Sequence, residues 1–527
     1  MSTPRGVWSA AGIIAGLAGL AVSHAATMAL TLRASPIVAV SELVVQYVPG
    51  AVAERAIKIL GHWDKPVLVV IVFLVVASVW AYAGRLAARS WWQPIVVFTV
   101  LGGVGLLAAL TRYDATPLTV LPVVAGTVTW IVVLSFLTDP LREAGPDEVP
   151  EPGPAVAPGE PEPLTSDAPV QGSAHSRRTF LIRAGATAAI ASVVGVFGER
   201  LGRKRRHVEQ SRRLLKLPVT NPRAPAATRV GVDGIERWKT PSSRFYLIHT
   251  AIVAPAIEPH DWKLRIHGRV DRELTLTYQG LIDRRITEDW ITLNCVSNPV
   301  GGDLIGNAWW SGVRVDRLLA EAGVQDGADA VLQTSWDGWT CGTPLSALTD
   351  PGRNAMLAIA MNGEPLPIDH GFPVRMIVPG LYGYVSACKW VTDLEVSRFQ
   401  DFEAYWTGKG WSEKGPVKIA SRIDVPGSGD DVPAGEVRIG GSAWAQTIGI
   451  AAVEYSLDGG PWERARLGGV PNDEAWRQWA ATVELDQGDH SVRVRALGRN
   501  GETQTGVQRD VRPDGATGWH EVDFRVT

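Results

Sequence analysis

Apolar positions gather into long uncharged runs in the first third of the chain and into short alternating runs after it. Four runs, near Val7–Leu32, Pro66–Ala83, Gln93–Thr111 and Ala115–Thr138, contain no Asp, Glu, Lys or Arg. Each reaches the length of about 17–25 apolar residues that a bilayer-spanning helix needs. Buried helices of soluble proteins seldom stay uncharged for so long, so residues 1–140 are read as a four-helix transmembrane anchor in contact with membrane lipid. Arg5, Arg85 and Arg89 fall on one side if the chain starts in the cytoplasm, and four spans return it there near Asp139.

The pattern then changes abruptly. Pro146–Val170 holds eight prolines, six acidic residues and no Lys or Arg. Such a composition buries no core, and residues 141–175 are read as an acidic Pro-rich linker. Residues 176–216 follow as a further segment. Ser176-Arg177-Arg178-Thr179-Phe180-Leu181, ahead of the Ala/Gly-rich run Ala184–Gly198, resembles a twin-arginine export signal, with the run as a fifth helix. Eight Lys/Arg residues lie between Arg200 and Lys216. Ordinary threading would keep them cytoplasmic. Export of a folded passenger would not, and it puts the rest of the chain on the extracytoplasmic side of the cell membrane.

Between about 223 and 400 the periodicity switches repeatedly between two and 3.6. Strands are predicted near Trp262–Val270, Ile291–Val296, Ala330–Thr334, Met356–Met361, Val374–Val378 and Trp390–Val396, with helices at Thr277–Arg285 and Arg314–Ala322. This is an α+β domain. From 415 to 527 helix signals vanish. Alternating runs at Glu436–Ala443, Ala451–Ser456, Ala480–Leu485, Ser491–Ala496 and Glu521–Val526 are separated by turn signals such as Asp458-Gly459-Gly460 and Asn500-Gly501, which predicts an immunoglobulin-like β-sandwich.

Composition adds exclusions. A length of 527 residues implies two to four units, and a net charge of −3 gives no electrostatic case for nucleic acid. Cys295, Cys341 and Cys388 form neither a CxxC pair nor a CxxCH haem-attachment site. Within the spans only His24 could ligate a haem, and a lone intramembrane His packs or hydrogen-bonds more often than it ligates. No haem is therefore expected. The 21 Trp residues are read as core and interface filling.

One cysteine has a setting of its own. Ile291-Thr292-Leu293-Asn294-Cys295 brings it to the end of an apolar strand, and Gly301-Gly302 follow. A strand end opening into a Gly-rich loop holds a side chain rigidly yet accessibly. Thiolate suits a soft or redox-active metal. From these residues alone, a buried inert cysteine is the favoured reading.

The wider pattern narrows the choice. Thr292–Asn298, Met361-Asn362-Gly363-Glu364-Pro365-Leu366-Pro367, His370-Gly371-Phe372-Pro373-Val374-Arg375, Val378-Pro379-Gly380 and Lys389-Trp390 occur in that order, and together they resemble the sulfite oxidase family. The segment Val453–Gly460 resembles a hairpin of that family's C-terminal dimerisation domain, so a homodimer is implied. The resemblance implies molybdenum held by one molybdopterin (a pyranopterin dithiolene) and by the Cys295 thiolate, the catalytic metal ligand. Asp337, His370, Arg375, Ser386 and Lys389 fall at positions that hold the pterin and its phosphate. The implied reaction is oxygen-atom transfer. Sulfite oxidation comes first, with reduction of an S-oxide or nitrogen oxide as the alternative, and a non-catalytic membrane-tethered binding protein as the reading from another class. A small oxyanion or S-oxide is the implied substrate, and electrons would pass to a separate partner or the membrane quinone pool.

Two departures bear on the substrate. Sulfite-oxidising members carry a Tyr where this chain has Ile359, and an Arg whose clearest match here is Leu247, flanked by Arg244 and His249. Tyr382 and Tyr384 are candidates to refill the site.

Overall fold

The computed structural model describes residues 5–60, 63–143, 172–201 and 204–527, in two compact units divided at Arg206/His207. The predicted Pro-rich linker Pro146–Val170 lies outside the described residues.

The first unit is helical: α1 (Arg5–Ala29), α2 (Pro36–Tyr47), α3 (Gly50–Leu60), α4 (Asp64–Ala87), α5 (Trp92–Leu110), α6 (Val120–Glu143) and α7 (Gly172–Leu201). Four stretches, Gly6–Ala29, Asp64–Ala87, Trp92–Leu110 and Pro117–Arg142, are long and apolar enough to cross a membrane. They coincide with the four predicted runs. The short helices α2 and α3 were not predicted; α2 has 12 residues and includes Glu42, too short for a span. The backbone of α7 covers the twin-arginine-like segment. Phe180 and Ala184 on it are buried with Trp8 and Leu137, and Arg183 donates to the Phe136 carbonyl at 2.7 Å.

Glycines set how closely these helices approach. A Cβ on Gly12 of α1 would lie 2.1 Å from the Trp80 carbonyl oxygen, and one on Gly84 of α4 would lie 2.1 Å from that of Trp8. Only hydrogen fits at this crossing, which is how small residues let apolar helices associate. Beyond α1, Arg33 pairs with Glu42 and Asp114 at 2.9 and 3.0 Å, and Arg112 with Asp114 at 2.9 Å. That cluster balances two cations against two carboxylates.

The second unit begins in the basic helix Lys204–Leu214, whose Val208 is wholly buried in a core with Phe245, Leu293 and Trp310. Ten strands follow: β1 (Lys263–Gly268), β2 (Leu274–Thr277), β3 (Ile286–Asn294), β4 (Ile305–Arg314), β5 (Ala330–Ser335), β6 (Thr340–Pro344), β7 (Met356–Met361), β8 (Glu364–Pro365), β9 (Arg375–Ile377) and β10 (Val391–Ser397). One sheet runs β2-β1-β10-β5-β6 and the other β3-β4-β7-β8, with β9 on β7. Short helices at Tyr278–Ile282 and Val315–Ala322 match the two predicted ones. The strands β2, β4, β6 and β8 were missed. β4 is covered on both faces, and its polar Asn307 and Ser311 are satisfied inside, by Trp238 O at 3.0 Å and Glu288 Oε1 at 2.7 Å. It therefore shows no apolar alternation.

Residues 420–526 form two packed sheets. Their strands are β11 (Ala420–Val425), β12 (Asp431–Val432), β13 (Gly435–Trp444), β14 (Ile450–Leu457), β15 (Glu463–Arg464), β16 (Arg466–Leu467), β17 (Arg477–Leu485), β18 (Gly488–Gly498) and β19 (His520–Val526). The orders are β11-β13-β17-β16 and β12-β19-β18-β14-β15. Ile439, Val453, Trp479, Val494 and Phe524 fill the space between them. All five predicted runs are strands of this sandwich. Asp458 and Gly459 both take positive φ, 50° and 72°, as the turn signal requires.

The sandwich is joined to the α+β part by a tryptophan cluster. Trp238 and Trp476 exchange indole N–H to carbonyl bonds at 2.9 Å each, beside Trp290 and Trp444.

Candidate active site

Cys295 directly follows the last residue of β3. Its N–H donates to the Leu304 carbonyl at 2.9 Å, its carbonyl accepts from Asn298 N–H at 3.1 Å, and the Asn298 side chain accepts from Leu304 N–H at 2.9 Å. These bonds close the loop 295–304 on itself. Gly302 has no room for a side chain, because a Cβ would sit 2.4 Å from Asn298 Oδ1. The sandwich braces the same strand and loop. Arg422 donates to Gly302 O at 2.9 Å, Gln446 Nε2 donates to Thr292 O at 3.2 Å, and Thr292 Oγ1 accepts from Trp476 N–H at 2.8 Å. Cys295 is thus fixed from two domains while remaining partly exposed, unlike the buried Cys341 and Cys388. Burial pushes the Cys295 thiol up, and hydrogen bonds from Ser297 and the charge of Lys389 pull it back.

A cationic group stands nearby. Arg375 and Lys389 are cross-strand neighbours. Arg375 is 4% exposed, its guanidinium lies 5.3 Å from the Trp310 ring centre, and Nη1 donates to His370 O at 3.2 Å. Its Nε has no partner, and no carboxylate pairs with it among the described residues. Burial lowers its pKa to about 10. Lys389 Nζ donates to Asp369 O at 3.1 Å and meets His249 Nδ1 at 3.3 Å. His370 Nε2 lies 3.0 Å from Ser242 O, while its buried Nδ1 has no partner. Burial, with Lys389 and Arg375 beside it, lowers the His370 pKa to about 3, so the ring is neutral at ordinary pH. Gly371, at φ 109°, makes this packing possible, since a Cβ there would lie 2.9 Å from that of Arg375.

Two buried nitrogens without partners and an arginine without a carboxylate form an electrostatic deficit. A phosphate-bearing group supplies the missing charge and acceptors, so these residues fit a pterin phosphate.

Asp337 and Ser386 are engaged locally. Asp337 Oδ1 accepts from Ser335 Oγ at 2.6 Å in the β5–β6 turn, and the fully buried Ser386 hydroxyl donates to the Tyr382 and Leu381 carbonyls at 2.9 and 3.1 Å. Of the two tyrosines, Tyr384 is anchored by its hydroxyl to Ser412 O at 2.7 Å, whereas Tyr382 lines a cavity beside Asn294 and Asn298 and senses the Cys295 charge. Ile359 is sealed in the core with Leu357 and Val374. Leu247 is 49% exposed.

The residue that sequence reasoning passed over is Tyr246. Its hydroxyl lies beside Gly383, and it interacts electrostatically with both Cys295 and Arg375. Burial raises its pKa, so it is an un-ionised phenol. It stands one position before Leu247, in the stretch searched for a guanidinium.

Residues 250–406 match the family model described as the oxidoreductase molybdopterin binding domain. A Bacillus subtilis protein described as the uncharacterized oxidoreductase YuiH is 30% identical over 174 residues, which are 33% of this chain and 84% of that protein. Human mitochondrial sulfite oxidase is 29% identical over 306 residues, 49% of this chain and 55% of that one. Chicken sulfite oxidase is 31% identical over 299 residues, 48% of this chain and 65% of that one. The match thus spans somewhat over half the length of these sulfite oxidases. The chain belongs to the sulfite oxidase family of molybdopterin-dependent oxidoreductases.

Proposed function

We propose that this protein is a membrane-anchored molybdenum-pterin enzyme of oxygen-atom transfer, with Cys295 as metal ligand and with His370, Arg375 and Lys389 holding the pterin phosphate. The observation that carries the reading is the buried Arg375 without a carboxylate, cross-strand neighbour of Lys389, whose charge acts on the Cys295 thiol. Asp337 and Ser386 border the pterin and fix the turns that shape its cleft. When bound, the molybdenum cofactor supplies the two-electron redox chemistry. The chain supplies the rest. Tyr246 offers a phenolic O–H near Cys295, His370 stays neutral between two cations, and the loop 295–304 keeps the thiol at one position.

The names of the relatives put sulfite oxidation first. A second reading, turnover of a less charged S-oxide or nitrogen oxide, is favoured by Leu247. It offers no cation, and a hydrated dianion needs cationic donors to replace its water. The test is an assay of purified, cofactor-loaded protein against sulfite with an artificial acceptor, and against neutral S- and N-oxides with an artificial donor. Weak sulfite turnover with a high KM, beside faster use of a neutral oxide, supports the second reading. Micromolar KM for sulfite supports the first, and inactivity towards all of them overturns the enzyme assignment.

The domain scheme proposed is an anchor at 1–140, a linker at 141–175, a signal-like segment at 176–216, the molybdopterin domain at 223–400 and the sandwich at 415–527. Four helices of spanning length support anchoring in the cell membrane. The twin-arginine-like motif supports an extracytoplasmic catalytic domain, with electrons passing to a separate carrier or to quinone. The sandwich is the proposed homodimer surface.

A further inference from the structure

The basic helix Lys204–Leu214 has two unlike faces. Val208 is wholly buried against the catalytic core, Arg212 Nη1 donates to the Pro365 carbonyl at 3.0 Å, and Leu215, just past the helix end, packs on the same core. Positions spaced four and three residues apart make one inward stripe. The other side is cationic. Arg205, Arg206, Arg213 and Lys216 are exposed, and Arg206, Gln210 and Arg213 fall on one line along the helix. Between Arg200 and Lys216 eight basic residues stand against one acid, Glu209, which is drawn to Arg212 and Arg213 at 2.7 and 2.9 Å. Beside them Leu214 is 80% exposed. Arginines on one face with a bare leucine at its rim are the composition of a helix that lies in a lipid interface.

The preceding chain argues for the same partner. Helix α7 packs along α1 and α6, with Phe180 and Ala184 buried, while its Leu181, Ile182, Ile190 and Val193 are exposed. Four large apolar side chains left uncovered on a helix beside helices of spanning length fit contact with lipid. Helix α7 ends at Leu201 and the basic helix starts at Lys204, so chain length alone puts the two ends within about 11 Å. A polybasic run at the end of a membrane helix attracts anionic headgroups.

We propose that the exposed face of this helix is a docking surface for anionic lipid headgroups, with Arg205, Arg206, Arg213 and Lys216 against the phosphates and Leu214 at the acyl boundary. Val208, Arg212 and Leu215 fasten the same segment to the catalytic core, so contact with lipid holds that domain in one orientation to the bilayer. The docking surface rests on the membrane anchoring proposed above and is independent of the catalytic reading.

The test uses the full-length protein in lipid nanodiscs, with a fluorescent amino acid in place of Gln210, which is exposed on the cationic face. Lipids carrying a nitroxide at the headgroup quench it only on close approach. Quenching should be strong in phosphatidylcholine discs with about 30 mol% phosphatidylglycerol and weak in phosphatidylcholine alone. Salt at about 0.5 M should release the helix by screening the attraction. The triple variant Arg206→Gln, Arg213→Gln, Lys216→Gln should lower the ratio of docked to released helix by about a hundred-fold, at roughly five-fold per charge. Leu214→Ser should weaken docking and leave its salt dependence unchanged. Circular dichroism checks the fold of each variant. Equal quenching in both kinds of disc, or no response to the triple variant, would overturn the docking surface. No quenching in either disc would overturn it too, and would leave the face to water or an acidic protein. A chain that fails to enter the discs refutes the membrane anchor and the docking surface together. A chain that enters them with position 210 unquenched refutes the docking surface alone.

Discussion

Arg375 is the side chain whose environment says most about what it binds. A guanidinium this deep normally faces a carboxylate, and stranding a buried charge costs several kcal/mol. Arg375→Met keeps the length and the packing on Trp310 while removing the charge. Pterin retention should fall by roughly 10²-fold, on the scale of about 3 kcal/mol for a lost buried ion pair, read as pterin and molybdenum per protein after gel filtration. The apoprotein should become no less stable. His520 provides a titration test. Its Nδ1 accepts from Ile423 N–H at 3.0 Å, and burial followed by the Arg422 charge lowers its pKa to about 4. A folded pKa below the ordinary 6.5 means that the neutral ring is favoured in the fold. Stability from this group is complete above about pH 6.5 and is lost as pH falls towards 4. At pH 5 the loss is about 2 kcal/mol. His520→Asn retains an acceptor for Ile423, and its Tm should drop less between pH 7 and pH 5 than that of the parent. Legibility at this scale was uneven. Cys295 could be singled out because its neighbours form part of an ordered series of motifs. Tyr246 could not, because its position near Cys295 depends on a loop that crosses from one end of the domain to another.

At the scale of elements, length and charge decided what could be read. Spans free of charge over some twenty residues leave few alternatives to a membrane helix, and all four coincide with helices of spanning length whose ends lie within about four residues of those read from the sequence. Strand β4 was illegible because both its faces are buried, so its polar residues point into the protein and no period survives. Strands β18 and β19 alternate buried and more exposed positions along their length and were visible for that reason, whereas β13 alternates only in its first half. What no periodicity reveals is the distance between elements. The crossing of α1 and α4 at Gly12 and Gly84 leaves no space for a methyl group. Gly84→Val should push the helices apart and lower the melting temperature of the detergent-solubilised protein by several degrees or prevent its accumulation. Gly103→Ala, with nothing within 4 Å of the added carbon, should be nearly silent.

For the whole molecule, the anchor, the basic segment and the catalytic domain imply an order of events in biogenesis. If Arg177-Arg178 directs export of a folded passenger, changing both to Lys should leave the four spanning helices α1, α4, α5 and α6 inserted and the catalytic domain protected inside spheroplasts from added protease. Unchanged cleavage would point to ordinary threading. The general architecture was legible because each part has its own composition, whereas the bracing of β3 by Gln446, Trp476 and Arg422 required the fold. The central claim is that Cys295 donates its sulfur to molybdenum. X-ray absorption at the molybdenum edge, on the purified parent and on Cys295→Ser, addresses it most directly. Serine keeps the size but offers a hydroxyl in place of a soft thiolate. The variant should retain pterin, lose one sulfur scatterer from the metal shell and lose turnover. An identical sulfur count in parent and variant, with activity preserved, would contradict the claim.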